Sequence, residues 1–176
     1  MVPDLSIVIP VYNEEKCSEE AIRRVKAFMS LKPWTWELIQ APTVREGVLK
    51  AKGRRILVTD AKLRVPIKEV DKLVEALECG YDIAIGSRDV REEGCDVQES
   101  FLNRLARRAR RRLIEIFVMK GFLDTECAFK CYKKEAAAAL FQDKTAGLFG
   151  ADVAILRLAK KKGFRIKEVS VMYRGR

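Results

Sequence analysis

The sequence contains no histidine, so it lacks the side chain most often used for acid–base catalysis near neutral pH. Its five cysteines form no Cys-x-x-Cys pair, and without histidine a zinc site is not expected. Their odd number and wide scatter predict free thiols, with Cys127 and Cys131 acting as small buried hydrophobic side chains. Any general base is therefore expected to be a carboxylate.

Long apolar runs are also missing, since none approaches the roughly 18 residues of a membrane-spanning helix. At the start, Pro3 and Asp4 precede a strand pattern and do not resemble a signal peptide. These features predict a cytoplasmic protein. The 176 residues, 48% of them hydrophobic, predict one domain over 1–176 with a sizeable core.

The net charge of +10 is concentrated in one window, 101–120. Six arginines and one lysine stand there against Glu115, while apolar residues recur at helical spacing. This pattern is typical of a basic amphipathic helix on an anionic membrane surface. A core-packed helix with a solvated basic face is the alternative. No nucleic-acid partner is expected, because interleaved aromatics and nucleic-acid fold signatures are lacking.

Strand and helix patterns alternate along the chain, which predicts an α/β fold with a mostly parallel sheet and right-handed crossovers. A polar loop is predicted over 89–100 and a short irregular segment over 124–130. Thr43 and Glu46 form a capping box at the start of the second helix. The predicted strands are 5–9, 36–40, 55–59, 82–85 and 165–171, and the predicted helices are 18–31, 43–53, 66–79, 101–119, 133–141 and 151–162.

Polar residues follow the first and third predicted strands. Pro10, Tyr12, Asn13 and Glu14 end the first strand, and Asp60 follows the third. Ligands of open α/β sheets bind beyond the carboxyl ends of the strands, so these residues are expected to share one cleft. Asp60 suits a ribose hydroxyl or a cation-bound diphosphate. A plain strand-to-helix turn remains the alternative interpretation of the first segment.

The opening segment SIVIPVYNEE resembles that of the family 2 glycosyltransferases, especially the dolichyl-phosphate mannose and glucose synthases. The segments ILVTDAKLRVP, YDIAIGSR, DTECAFKCYKKEAAAALF and FGADVAILRLAKKKGFRIKEVSV follow in the family's order. The resemblance implies a nucleotide-diphospho-sugar transferase fold of the GT-A type. It also implies hexose transfer, with inversion, from a nucleotide diphosphate to a polyprenyl (dolichyl) phosphate at the cytoplasmic face of a membrane. Residues 1–88 would bind the nucleotide sugar, and 89–176 would form the acceptor half.

One departure from the family concerns the metal. The family's Asp-x-Asp motif coordinates the metal on the nucleotide diphosphate, and here it reads Asp60-Ala61-Lys62. Asp60 is thus expected to bind Mg²⁺ or Mn²⁺ only through an incomplete motif. Lys62 could neutralise the diphosphate directly and make catalysis independent of metal. A degenerate turn with a solvated lysine is the alternative.

A second departure is a missing acidic pair after the segment WELIQAP. The fold is therefore expected to be reduced by one strand–helix unit, which would leave Pro10, Tyr12, Glu14 and Asp60 for the donor. The sheet edge exposed by this loss suggests pairing with a second copy. A catalytically degenerate binding protein, or a partner subunit of a membrane-associated complex, is the alternative function.

The resemblance also assigns the phosphate contacts and the catalytic carboxylate. Arg88 is expected to bind the donor diphosphate or the acceptor phosphate through its planar fork, with a surface ion pair as the alternative. Asp152 or Glu126 is the expected base if the reaction needs one. The cations assigned to the acceptor phosphate are Arg88, Arg104, Arg108 and Lys130.

Overall fold

The structure is a computed structural model that describes residues 2–11, 15–88, 124, 127–143 and 151–174, without the side chains of 15–18 and 151. The predicted loop 89–100 and the arginine-rich helix 101–119 lie outside these ranges. So do the candidate residues Tyr12, Asn13, Glu14, Arg104, Arg108 and Glu126. The expectations for these residues stay predictions.

The predicted alternation of strands and helices is confirmed in the described ranges. In chain order the elements are β1 (Leu5–Pro10), α1 (Glu15–Met29), β2 (Trp36–Ala41), α2 (Val44–Lys50), β3 (Arg55–Val58), a 3-10 turn (Ile67–Glu69), α3 (Val70–Glu78), β4 (Ile83–Ser87), β5 (Lys130–Lys133), α4 (Lys134–Phe141), α5 (Ala151–Lys161) and β6 (Ile166–Ser170). No helix among them is long and apolar enough to cross a membrane.

The six strands form one sheet in the order β2-β1-β3-β5-β4-β6. All neighbouring pairs are parallel except those that involve β5, which runs antiparallel to both β3 and β4. The strand at Lys130–Lys133 was not predicted, because four residues are too few to show a strand period, whereas the predicted helix 133–141 is found as α4. The mostly parallel α/β sheet is confirmed.

Helices cover both faces of the sheet, which explains why β1 reads as a continuous apolar run. Ile7 and Leu57 face one layer, where they pack with α1 and α3. Val8 and Tyr132 face the other layer, which contains α2, α4 and α5. Tyr132 meets Phe141 there edge to face, with ring centroids 5.5 Å apart. Each such buried side chain contributes about 1.5–3 kcal/mol.

The cysteines described by the structure are free thiols, as predicted. Cys127 and Cys131 are buried, and Cys79 is exposed. Burial raises the pKa of Cys131 to about 12 and also raises the pKa of Cys127. Both buried thiols therefore stay protonated at neutral pH and act as small hydrophobic groups.

The predicted N-cap of α2 is confirmed at Thr43, although the Glu46 carboxylate contacts the Thr43 hydroxyl and not the backbone N–H that completes a capping box. The Thr43 hydroxyl oxygen accepts a hydrogen bond from the backbone N–H of Glu46 at 3.2 Å. The Glu46 carboxylate in turn accepts from the same hydroxyl at 3.0 Å. This cap fixes where α2 begins, directly after β2.

The turn between α2 and β3 is packed against the backbone of β1. The N–H of Gly53 donates to the Ser6 hydroxyl at 2.7 Å, and that hydroxyl donates to Glu37 of β2 at 2.5 Å. A Cβ atom on Gly53 would lie 2.6 Å from the backbone nitrogen of Ser6. Only glycine therefore fits where the chain enters β3.

Replacing Gly53 by alanine is expected to destabilise the fold by about 3 kcal/mol, because the added methyl meets rigid backbone. Gly163→Ala is the control. Gly163 has φ +80 with open space around it, so its substitution costs only backbone strain of about 1 kcal/mol. Urea unfolding of both variants measures the difference. A loss at Gly53 no larger than that at Gly163 would contradict the close approach.

Candidate functional site

The carboxyl ends of the parallel strands meet at one edge of the sheet. β1 and β3 are direct neighbours, with Val8 opposite Val58 in the register. Thr59, just after β3, donates its N–H to the carbonyl of Val8 at 3.1 Å. The segment after β1, which begins at Val11, and the loop after β3 therefore start side by side, as the sequence predicted.

The loop after β3 is organised by the carboxylate of Asp60. Its Oδ1 accepts a hydrogen bond from the N–H of Lys62 at 2.8 Å, which is an Asx turn. Its Oδ2 lies 3.4 Å from Nε of Arg64 in an ion pair. Leu63 adopts the left-handed conformation, with φ 47, and reverses the chain between these residues. We call residues 60–64 the Asp60 loop.

The described residues at Asp60 form no acidic cluster that could hold a divalent cation without a substrate. Mg²⁺ takes octahedral oxygen ligands and is usually held by one or two carboxylates. In the described ranges no three acidic or cysteine side chains cluster at any point. Both oxygens of Asp60 already face donors of its own loop, from Lys62 and Arg64. In the part of the chain that is described, a metal at this loop would thus have the carboxylate of Asp60 as its protein ligand and would depend on substrate phosphates and water for the others.

A cleft of about 190 Å³ lies between α1 and the Asp60 loop. Its volume is below the roughly 300–1,000 Å³ of pockets for whole small-molecule ligands, so it suits one group of a larger ligand. An ion pair between Arg24 and Glu20 lies on its α1 side. The lining residues are Glu20, Ala21, Arg24, Ala61, Lys62 and Leu63.

Arg88, at the end of β4, forms a two-pronged ion pair with Asp124. Its Nε lies 2.6 Å from Oδ2 and its Nη2 lies 2.7 Å from Oδ1, and its backbone N–H donates to the same carboxylate at 3.1 Å. The Asp124 side chain is only 3% exposed, whereas that of Arg88 is 30% exposed. The hydrogen bond that Arg88 donates to Asp124 raises the pKa of Arg88 against the opposing effect of burial. Arg88 is therefore a fixed cation at this edge, and sequence reasoning did not find its partner.

The segment after β6 joins the end of β4 to the Asp60 loop. Val171 donates its N–H to the carbonyl of Ser87 at 3.2 Å, and Arg174 donates to the carbonyl of Arg64 at 2.8 Å. Between them, the ring of Tyr173 lies 5.2 Å from the guanidinium carbon of Arg88. We call 171–174 the bridging segment.

Tyr173 interacts with two arginines. Burial lowers the pKa of Arg64, but Asp60 and the hydrogen-bonded Tyr173 side chain outweigh it, so the pKa lies above its usual value. A hydrogen bond with Tyr173 also contributes to the raised pKa of Arg88. The four-residue spacing of Arg64 from Asp60 was a usable signal in the sequence. Nothing in the sequence pointed to Tyr173.

Lys130 and Asp152, predicted separately as a phosphate contact and a base, form an ion pair. The Lys130 side chain is only 2% exposed, and its Nζ lies 2.6 Å from Oδ1 of Asp152, which is 48% exposed. Side chains alternate along β5, so Lys130 shares the face of Tyr132, in the layer of α2, α4 and α5. Ala61 and Leu63 pack in the opposite layer. The candidates thus form two groups, one on each face of the sheet.

The chain is similar to curated dolichyl-phosphate β-glucosyltransferases, which confirms the resemblance predicted from the sequence. It is 26% identical to the enzyme of Drosophila melanogaster over 217 residues, covering 97% of this chain and 67% of that protein. It is 29% identical to the enzyme of Mus musculus, covering 94% of this chain and 54% of that protein. The chain thus spans about one half to two thirds of the length of these relatives. No protein-family model matches it.

Solved structures of glycosyltransferases share the fold. Glucosyl-3-phosphoglycerate synthase from Mycobacterium tuberculosis, in complex with Mn²⁺, uridine-diphosphate-glucose and phosphoglyceric acid, has a TM-score of 0.62. It is 15% identical, and the match covers 99% of this chain and 72% of that one. At this identity the likeness shows the GT-A type fold, in agreement with the fold predicted from the sequence.

The ion pair in the second group predicts an asymmetry between its two partners. Asp152→Asn leaves the buried ammonium of Lys130 without its carboxylate and is expected to lower the free energy of unfolding by about 2 kcal/mol. This loss is smaller than for a fully buried pair because Asp152 is half exposed. Lys130→Met removes the charge but keeps the volume, and is expected to cost less than about 1 kcal/mol. Urea unfolding compares the two with the double variant, which should resemble Lys130→Met. Equal losses of stability in Asp152→Asn and Lys130→Met would contradict the ion pair between the two residues.

Proposed function

We propose that this chain is the transferase domain of a glycosyltransferase that moves a hexose from a nucleotide diphosphate to a polyprenyl phosphate. The observation that carries the proposal is the similarity to dolichyl-phosphate β-glucosyltransferases over more than nine tenths of the chain. The charged groups at the carboxyl edge of the sheet support it, because such an edge is where open α/β sheets bind ligands.

The proposed reaction is a single displacement at the anomeric carbon. An oxygen of the acceptor phosphate forms a bond to this carbon while the bond to the β-phosphate oxygen breaks, and the electron pair leaves with the nucleoside diphosphate. The configuration inverts. A phosphate acceptor is already anionic, so no proton has to be removed from it. The main requirement is positive charge around both phosphates as negative charge builds up on the leaving group.

The donor is assigned to the edge formed by β1 and β3. Asp60 fixes the loop that would face the donor, and Lys62 and Arg88 are the cations proposed for the diphosphate. Lys62 borders the cleft beside α1 and is exposed. The residues proposed to bind the rest of the donor are Pro10, Tyr12, Asn13 and Glu14.

The acceptor half is assigned to the sequence that follows β4. We place the acceptor phosphate near the arginine-rich window 101–120, which carries a charge of +6 and includes Arg104 and Arg108. Lys130 is buried and paired with Asp152 on the other face of the sheet, so its proposed role is to position that carboxylate. Each basic residue at an anionic bilayer contributes about 1 kcal/mol, so this window would hold the chain at a membrane surface. Asp152, paired with Lys130, is the proposed carboxylate if a base is used.

A binding protein that kept the fold and lost catalysis is the second candidate. Two observations favour it: Lys62 replaces the second carboxylate of the family motif, and the carboxylate of Asp60 is held by Lys62 and Arg64 of its own loop. Such a protein would bind a nucleotide sugar or a partner subunit without transferring the sugar.

Sugar transfer separates the two candidates. The purified chain is incubated with radiolabelled UDP-glucose or GDP-mannose and a polyprenyl phosphate, and labelled lipid is extracted. We expect labelled lipid product, and a loss of about 10²-fold in Lys62→Ala, the effect of removing one group that stabilises the leaving charge.

Lys68→Ala is the matched control, because Lys68 is another exposed lysine, in the 3-10 turn outside the cleft. Its activity should stay within twofold of the natural chain. No transfer and no binding of either donor at millimolar concentration would rule out the enzyme. Binding without transfer would favour the second candidate.

Membrane association is predicted to depend on salt. Vesicles with about one third anionic lipid should sediment the chain at low salt and release it as ionic strength shortens the screening length. Arg104→Gln combined with Arg108→Gln should weaken binding, whereas neutral vesicles should not bind. Equal binding to neutral and anionic vesicles would contradict the electrostatic attachment.

A further inference from the structure

We propose that Arg64, which the bridging segment holds at the same sheet edge as Arg88, binds the diphosphate of the donor and takes the place of a divalent cation. This inference rests on the proposed function, because it names the group that neutralises the leaving diphosphate. Sequence reasoning assigned no role to Arg64 or Tyr173. The predicted consequence is a diphosphate site that works without metal.

The carboxylate of Asp60 anchors an arginine. Oδ2 of Asp60 lies 3.4 Å from Nε of Arg64, and Oδ1 accepts from the N–H of Lys62 at 2.8 Å. A carboxylate shared in this way fixes the position of a cation next to it. The carboxylate of Asp60 is thus bordered by a guanidinium and by N–H groups of its own loop.

The bridging segment fixes Arg64 from its other side. The carbonyl of Arg64 accepts a hydrogen bond from the N–H of Arg174 at 2.8 Å, which brings Arg64 beside the residue that follows Tyr173. The same tyrosine lies against Arg88, which Asp124 holds from below at 2.6 and 2.7 Å. The bridging segment therefore contacts both arginines at the carboxyl edge of β3 and β4, Arg88 through the ring of Tyr173 and Arg64 through the N–H of Arg174.

Arg64 is accessible and has the chemistry to bind a phosphate group. The side chain of Arg64 is 50% exposed, so an anion in solution can reach it. Guanidinium groups bind phosphate oxygens in pairs through a planar fork and stay charged at all working pH values. Positive charge next to the leaving diphosphate is what a divalent cation otherwise supplies during transfer. Lys62, in the same loop, adds a third cation beside the cleft.

The test is calorimetric binding of inorganic pyrophosphate, and of UDP and GDP, in EDTA and in Mn²⁺. Pyrophosphate carries no base, so its binding reports only on the phosphate site. We expect binding in EDTA within threefold of that in Mn²⁺. Arg64→Ala should weaken pyrophosphate binding at least tenfold in both conditions, and Tyr173→Phe, which keeps the ring but removes the hydroxyl, should weaken it several-fold.

Arg55→Ala is the matched control. Arg55 is also a partly exposed arginine paired with a carboxylate, Glu78, but it lies at the opposite end of β3. Its substitution should leave pyrophosphate affinity unchanged. Arg64→Lys, which keeps the charge but loses the fork, provides a second variant whose binding should fall between those of the natural chain and Arg64→Ala. Circular dichroism checks that each variant is folded.

The outcomes separate this inference from the proposed function. Pyrophosphate binding that requires Mn²⁺, or that Arg64→Ala leaves intact, overturns the inference, even if sugar transfer is observed. Arg64-dependent binding in EDTA supports it, even if no sugar is transferred and the proposed function fails. An effect of Arg55→Ala equal to that of Arg64→Ala would reduce the result to general charge and overturn the assignment.

Discussion

The arrangement of the site depends on one strand that runs against the rest of the sheet. β5 lies between β3 and β4 and is antiparallel to both, with Cys131 opposite Leu57 on one side and Ala84 on the other. An antiparallel strand enters the sheet at the edge where its neighbours end. The residues just before and at the start of β5 are therefore delivered to the carboxyl edge. This is why Asp124 reaches Arg88 and why Lys130 lies near the same edge.

Ion pairs then fix the charged groups around that edge. Asp124 is buried and would be costly without a partner, so its two-pronged pair with Arg88 also determines where Arg88 lies. Asp60 likewise determines where Arg64 lies, in a pair that is closer to the solvent. Lys130 and Asp152 form a third pair on the other face of the sheet. In each case a carboxylate of the chain positions a cation, and the proposed phosphate site depends on the pairs at Arg64 and Arg88.

Much of the fold was predictable because its signals are local. The apolar run of β1, the cap at Thr43 and the acid after β3 all depend on neighbouring residues in the sequence, and the structure has them where the sequence placed them. The antiparallel β5 was missed because four residues with one buried tyrosine carry no clear period. Tyr173 was missed for a different reason. It lies against Arg88, and its neighbour Arg174 bonds to the carbonyl of Arg64; only the folded sheet brings these residues together.

Leu63 gives the Asp60 loop a further property. Its left-handed backbone, φ 47, is unfavourable for a leucine by about 1 kcal/mol, yet its side chain is buried in the core and its N–H donates to the carbonyl of Asp60. The loop is thus closed on itself by hydrogen bonds and anchored by an apolar side chain. A phosphate that arrives there meets groups already in position. Little conformational entropy would be lost on binding, so a small cleft with few contacts can still reach useful affinity.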